Sequence, residues 1–201
     1  MNLILDYGLG NLTSIKRALN RIGADCHISS DAGDIEKADR IILPGVGHFA
    51  KGIEQMKERN FIHPLNAYAL ERKKPILGIC LGMQLMTAYS EEGDKHGLDW
   101  INAKTVKIKS SMRIPHIGWN TLNFSKESIL FPENDENAQF YFVHSYCIKS
   151  DNKEIIVSTS RYGEDSFISV FQNENIFGTQ FHPEKSHKQG LQVLNHFLNY
   201  K

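Results

Sequence analysis

The first half of the chain switches repeatedly between two hydrophobic periods, and this alternation constrains the fold most. Leu3-Ile4-Leu5 is an unbroken apolar run ended by Asp6-Tyr7-Gly8, the pattern of a buried strand. From Leu12 the apolar residues fall at Leu12, Ile15, Leu19 and Ile22, a helical spacing that Gly23 stops. Residues 39–43 read as strand, 49–59 and 61–72 as two helical pieces, 75–79 as strand and 83–89 as helix. Strands separated by helices require crossover connections, so this half predicts a mostly parallel sheet covered on both faces.

The second half changes character. Residues 106–108, 121–124, 140–143, 155–159, 167–171 and 176–181 are short strand candidates joined by turns. Leu191, Leu194, Phe197 and Leu198 mark a closing helix, and 132–137 is a polar loop. No repeat, linker or low-complexity tract interrupts the 201 residues, which suit one α/β domain, 1–201, with a β-rich second half.

Charge narrows the function. The 23 basic residues balance 23 acidic ones, which gives no electrostatic footprint for nucleic acid or an anionic membrane. No apolar run approaches the roughly 18 residues of a membrane span, and MNLILDYGLGN reads as a first strand rather than a signal peptide. Cys26, Cys80 and Cys147 are far apart and form no CxxC pair. The expectation is no metal site, no disulfide framework and a reducing cytoplasm.

One cysteine stands apart. In GICLGMQ, residues 78–84, Cys80 sits between glycines where an apolar strand gives way to a helical pattern. A G-x-nucleophile-x-G turn exposes its side chain at the carboxyl edge of a sheet, with the amides of the following helix close by. A buried core thiol is the alternative. A nucleophile needs a base and an orienter. GTQFHPEKS, residues 178–186, offers His182 and Glu184, two apart around Pro183. On an extended segment the two side chains share one face, so Glu184 can hold the imidazole. In Leu43-Pro44-Gly45-Val46-Gly47 the glycines let backbone amides approach a ligand, and amides near Val46 and Leu81 suit an oxyanion hole. Gly8-Leu9-Gly10 with Asp31 resembles the start of a dinucleotide fingerprint, but its third glycine is missing and no cofactor is expected.

GICLGMQ, PGVG and FHPEKS, in one chain, resemble class I glutamine amidotransferases. DYGLGNLTS, IPHIGWN and YFVHSY narrow the resemblance to glutaminase subunits of imidazole glycerol phosphate synthases. The resemblance implies a three-layer, flavodoxin-like fold. It also implies that Cys80 attacks the glutamine side-chain amide while His182 moves protons under the control of Glu184. A glutamine pocket of Gly45, Gly47, Gln84, Glu92, Ser145 and Tyr146 follows, with Glu92 facing the α-ammonium; for Glu92 a solvated helix end is the alternative. The implied partner is a (β/α)8-barrel cyclase in a heterodimer, which receives the ammonia. A peptide flip in PGVG is the implied switch. His144 is expected to position the pocket loop, and His116 and Trp119 to pack or face the partner. The stretches SEEG, GLDWINA and His187-Lys188-Gln189-Gly190 also resemble paralogues that feed ammonia to a barrel amidating a nucleotide-linked sugar.

Overall fold

The computed structural model describes residues 1–200. Strand β1 (Asn2–Leu5) leads to helix α1 (Leu12–Arg21), β2 (His27–Ser29), α2 (Ala32–Lys37) and β3 (Arg40–Leu43). Then come α3 (Phe49–Glu58), α4 (Ile62–Asn66) with a π-turn at Ala67–Glu71, β4 (Ile76–Ile79) and the short α5 (Leu81–Gln84). The β-rich half runs β5 (Thr87–Ser90), β6 (Lys95–His96), β7 (Ile101–Lys107), β8 (His116–Thr121), β9 (Asn123–Phe124), β10 (Gln139–His144) and β11 (Tyr146–Lys149). It continues through β12 (Ile156–Tyr162), β13 (Asp165–Asn173) and β14 (Ile176–Thr179), and α6 (His187–Asn199) closes it.

The sheet is ordered β2-β1-β3-β4-β14 and every pair along that path is parallel. From β14 it continues antiparallel through β13 and β11 to β7, where β5 adds in parallel and β6 ends the path. β8 and β10 pair apart from it as a two-stranded ribbon.

The apolar runs are continuous because both faces of the parallel part are covered. Leu3, Leu5, Ile41 and Leu43 join the cluster containing Ile35, Phe49 and Ile53 of α2 and α3. Ile4, Ile42 and Leu77 turn the other way, onto Ile15 and Leu19 of α1 and Leu194 and Phe197 of α6. Each fully buried aliphatic side chain contributes about 1.5–3 kcal/mol, so the alternation fixes register and the three layers together.

Several expectations are corrected. The helix expected over 83–89 is only Leu81–Gln84, and Thr87–Ser90 is strand β5. Thr87 ends the helix by donating its hydroxyl to Gln84 O at 2.8 Å, and β-branched Thr and aromatic Tyr suit the strand that follows. The strand expected over 121–124 is two, because β8 ends at Thr121 and β9 pairs instead with β12. β2 and α2 were not foreseen; they have three and six residues, too few for a period to repeat. Asp31, at the fingerprint spacing, caps α2 by accepting from Gly33 N at 2.8 Å.

Candidate active site

Four loops leave the carboxyl edge of neighbouring parallel strands: DYGLGN after β1, PGVG after β3, the Cys80 turn after β4 and QFHPE after β14. In open α/β sheets ligands bind at this edge. Cys80 adopts φ +53°, ψ −108°, a conformation costing a non-glycine residue about 1–3 kcal/mol. Packing holds it there. Cys80 N donates to Thr179 O at 2.7 Å, tying the turn to β14. A Cβ on Gly82 would stand 1.9 Å from Leu43 O, so only glycine lets the turn lie against β3.

The PGVG loop packs directly on this turn. A Cβ on Gly45 would meet Gly82 N at 2.5 Å. Tyr7, fully buried in the loop after β1, donates its hydroxyl to Pro44 O at 2.6 Å. Burial, then the nearby charge of Cys80, raise its pKa, so it remains a donor. The DYGLGN segment thus braces the PGVG loop. Gly47 has φ +129°.

His182 and Glu184 are each about 2% exposed, and His182 Nδ1 lies 2.8 Å from Glu184 Oε1. The route differs from the expected extended segment: Pro183–Lys185 is a 3-10 turn, and it brings the carboxylate back beneath the ring. His182 Nε2 is buried and makes no hydrogen bond, so it is free to exchange a proton. Burial alone would lower the imidazole pKa, but the adjacent Cys80 and Glu184 outweigh it and raise it to about 10. Cys80 acts on the ring chiefly through its charge.

A cleft of about 290 Å³ opens beside Cys80. Among the expected residues Val46, Gly47, Leu81, Gln84, Glu92, Ser145 and Tyr146 line it, whereas Gly45, His182 and Glu184 do not. Glu92 lies beyond the end of β5 rather than on a helix, and it accepts from Phe49 N, the start of α3, at 2.7 Å. Its second carboxylate oxygen is left for a ligand. Gln84 Nε2 donates to Tyr146 O at 2.8 Å and to Gln180 Oε1 at 3.0 Å. His144 braces the same loop, with Nδ1 2.8 Å from Tyr146 O and Nε2 3.0 Å from His116 Nδ1. Because a carbonyl only accepts, His144 carries its proton on Nδ1 and His116 donates to it. Burial lowers the pKa of His116 to about 4 and that of His144 to about 3. Both are neutral near pH 7.

Some participants were not foreseen. Gln180 Nε2 lies 3.6 Å from Cys80 Sγ, and Val143 O lies 3.8 Å from that sulfur. Pro115 and Val143 also line the cleft. The available signal for Gln180 was a lone amide in the apolar run 176–181.

Among the described residues no group of three His, Cys, Asp or Glu side chains is placed to hold a metal, and no helix is long and apolar enough to cross a membrane. The chain is 48% identical over 200 residues to imidazole glycerol phosphate synthase subunit HisH 2 of Methanococcus maripaludis, covering 98% of each. It is 41% identical to imidazole glycerol phosphate synthase subunit HisH of Moorella thermoacetica, over 96% of this chain and 92% of that one. Its backbone superposes on PurLQS from Thermotoga maritima with a TM-score of 0.78 at 21% identity, covering 99% of this chain and 97% of that one, a likeness of fold. Residues 3–199 match the model of the class-I glutamine amidotransferases, and the chain belongs to that family.

Proposed function

We propose that this chain is the glutaminase subunit of an imidazole glycerol phosphate synthase. The observation that carries the reading is the strained Cys80, with the buried His182–Glu184 pair behind it and a glutamine-sized cleft in front. The relatives named above are subunits of that synthase.

In this mechanism the α-ammonium of glutamine pairs with Glu92, and Gln84, Ser145 and Tyr146 enclose the side chain. Cys80 Sγ, its proton passed to His182, attacks the side-chain carbonyl carbon and forms a C–S bond as the carbonyl π pair moves onto oxygen. The amides of Val46 and Leu81 receive the oxyanion. His182 gives its proton to the nitrogen as the C–N bond breaks, releasing ammonia. It then takes a proton from water, which attacks the thioester and returns the electron pair to sulfur. Glu184 keeps the ring oriented throughout.

Ammonia released into water becomes ammonium, a poor nucleophile, so a dry route to an acceptor is needed. The proposed acceptor site lies in a (β/α)8-barrel cyclase bound as a heterodimer. Its products would be imidazole glycerol phosphate and aminoimidazole carboxamide ribotide. The exposed Trp119 and Ile117 on β8, with Asn120 beside them, suit the docking face. Free thiols at Cys26, Cys80 and Cys147 suit a reducing cytoplasm.

The test is reconstitution with the barrel protein, glutamine and the formimino ribulosyl substrate. Glutamate and imidazole glycerol phosphate should appear in step, and both should vanish in Cys80→Ala. Glutamine turnover without imidazole product would move the acceptor to another compound. The nucleotide-linked sugar is then the next to try, since SEEG, GLDWINA and His187-Lys188-Gln189-Gly190 resemble the paralogues that feed such an acceptor.

A further inference from the structure

The carbonyl of Tyr146 fixes every amide between itself and the nucleophile. That carbonyl only accepts, so the Gln84 atom 2.8 Å from it is Nε2. The same nitrogen stands 3.0 Å from Gln180, whose facing atom is therefore Oε1. Gln180 then presents its own Nε2 to Cys80 Sγ at 3.6 Å. Turning either amide over sets oxygen against oxygen or nitrogen against nitrogen. Both side chains are buried, Gln180 completely. A buried amide is costly unless all its groups are used. Gln180 is anchored by its own backbone as well, with N donating to Ser169 O at 2.9 Å.

We propose that Gln180 is a catalytic residue of the glutamine half-reaction. Its Nε2–H stabilises negative charge on Cys80 Sγ, and its orientation is set from the glutamine pocket through Gln84 and the Tyr146 carbonyl. The proposal rests on the reading of Cys80 as the nucleophile. His182 accounts for the proton, but Cys80, only 6% exposed as a residue, has little water to solvate a charge on its sulfur. An amide donor supplies that solvation without titrating. Attack on glutamine forms the C–S bond and removes the charge from sulfur. Hydrolysis of the thioester breaks that bond and returns the electron pair, and the same N–H meets it. The donor therefore favours both the armed state and the departure of sulfur. Its link to Tyr146 connects cleft geometry to nucleophile charge through two side chains.

The experiment is the rate of Cys80 alkylation by iodoacetamide as a function of pH, followed on the Cys80 peptide by mass spectrometry. Gln180→Met keeps the length and removes the donor. It should slow alkylation about tenfold near neutral pH, the weight of one hydrogen bond to a charged group. Its rate should converge with that of the wild type at alkaline pH. Gln180→Glu keeps an acceptor for Gln84 and places a carboxyl group where the donor was, and its slowing at neutral pH should be at least as large. A slowdown by one constant factor at every pH would indicate altered access and overturn the proposal, as would unchanged rates at neutral pH in both variants. A chloroketone analogue of glutamine keeps the two readings apart. Failure to label Cys80 in the wild type would sink the nucleophile assignment. Labelling there, with wild-type pH behaviour in the variants, would sink only the role of Gln180.

Discussion

At the scale of single residues, several side chains of the proposed site are held in states they would not choose in water. Cys80 is kept at positive φ by the glycine approach to β3 and its hydrogen bond to β14. The His182 ring is aimed by one buried carboxylate oxygen. Replacing Glu184 by Gln preserves size but removes the charge that favours the protonated ring. Glutaminase kcat should fall by about 10²–10⁴-fold, the range for a misdirected general acid–base, while KM changes little; steady-state glutamate release measures both. His116 and His144 carry a different consequence. Their folded pKa values, about 4 and about 3, lie below the unfolded value near 6.5. Below about pH 6.5 the unfolded chain binds protons that the folded chain refuses. Their contribution is therefore complete above that pH and is lost as pH falls through the folded values. His116→Phe, which can keep the stacking on Phe142, should flatten the acid loss of stability by about 1.4 kcal/mol per pH unit between pH 6 and 5. Urea unfolding at the two pH values checks it.

At the scale of elements, the design is four loops on one sheet edge, braced against one another rather than against solvent. The strands beneath them were legible because both faces are buried, which leaves apolar runs such as Leu3-Ile4-Leu5 with no polar interruption. The Cys80 turn was legible because glycines bracket a residue that must sit close to other backbone. The helix after it was overextended for an equally physical reason. Met83, Leu85 and Met86 are buried where the chain bends into β5, and the same run of apolar residues also fits a helix face, so apolar spacing could not distinguish the two. The His182–Glu184 pairing was legible as a spacing, but the 3-10 turn that makes it was not. Gln180 was hidden because its role depends on Tyr146 and Gln84, brought near only by the sheet. Gly47 offers a test at this scale. A Cβ there has room, with Leu9 atoms no closer than 3.6 Å, so Gly47→Ala perturbs backbone freedom rather than packing. At φ +129° an alanine is strained by about 1–3 kcal/mol. If a peptide flip in PGVG arms the oxyanion hole when the proposed partner binds its ligand, the variant should lose most of the rise in glutaminase activity expected on adding that ligand. Full stimulation, measured as the ratio of glutamate release with and without that ligand, would remove the flip from the account.

At the scale of the whole molecule, the β8–β10 ribbon connects the cleft to an exposed face. Its register sets His116 opposite His144 at the cleft end and Trp119 opposite Tyr141 farther along. Trp119 is 43% exposed, stacks on His187 with ring centroids 4.9 Å apart, and meets the edge of Tyr141 at 5.8 Å. An indole stacked on a neighbour yet exposed suits an interface anchor. Trp119→Ala should weaken association with the proposed cyclase barrel by about 2 kcal/mol, roughly thirtyfold in Kd, while leaving alkylation of Cys80 in the isolated chain unchanged. Titration calorimetry and the alkylation rate test the two halves of that statement.

Whether Cys80 is the nucleophile toward the glutamine side chain is decided by covalent labelling. The chain is treated with a chloroketone analogue of glutamine, and intact mass and peptide mapping locate the adduct. One adduct is expected, on Cys80, prevented by excess glutamine, absent in Cys80→Ala and slowed in His182→Asn. An adduct on Cys26 or Cys147 instead, or labelling of Cys80 that glutamine does not protect, would contradict it.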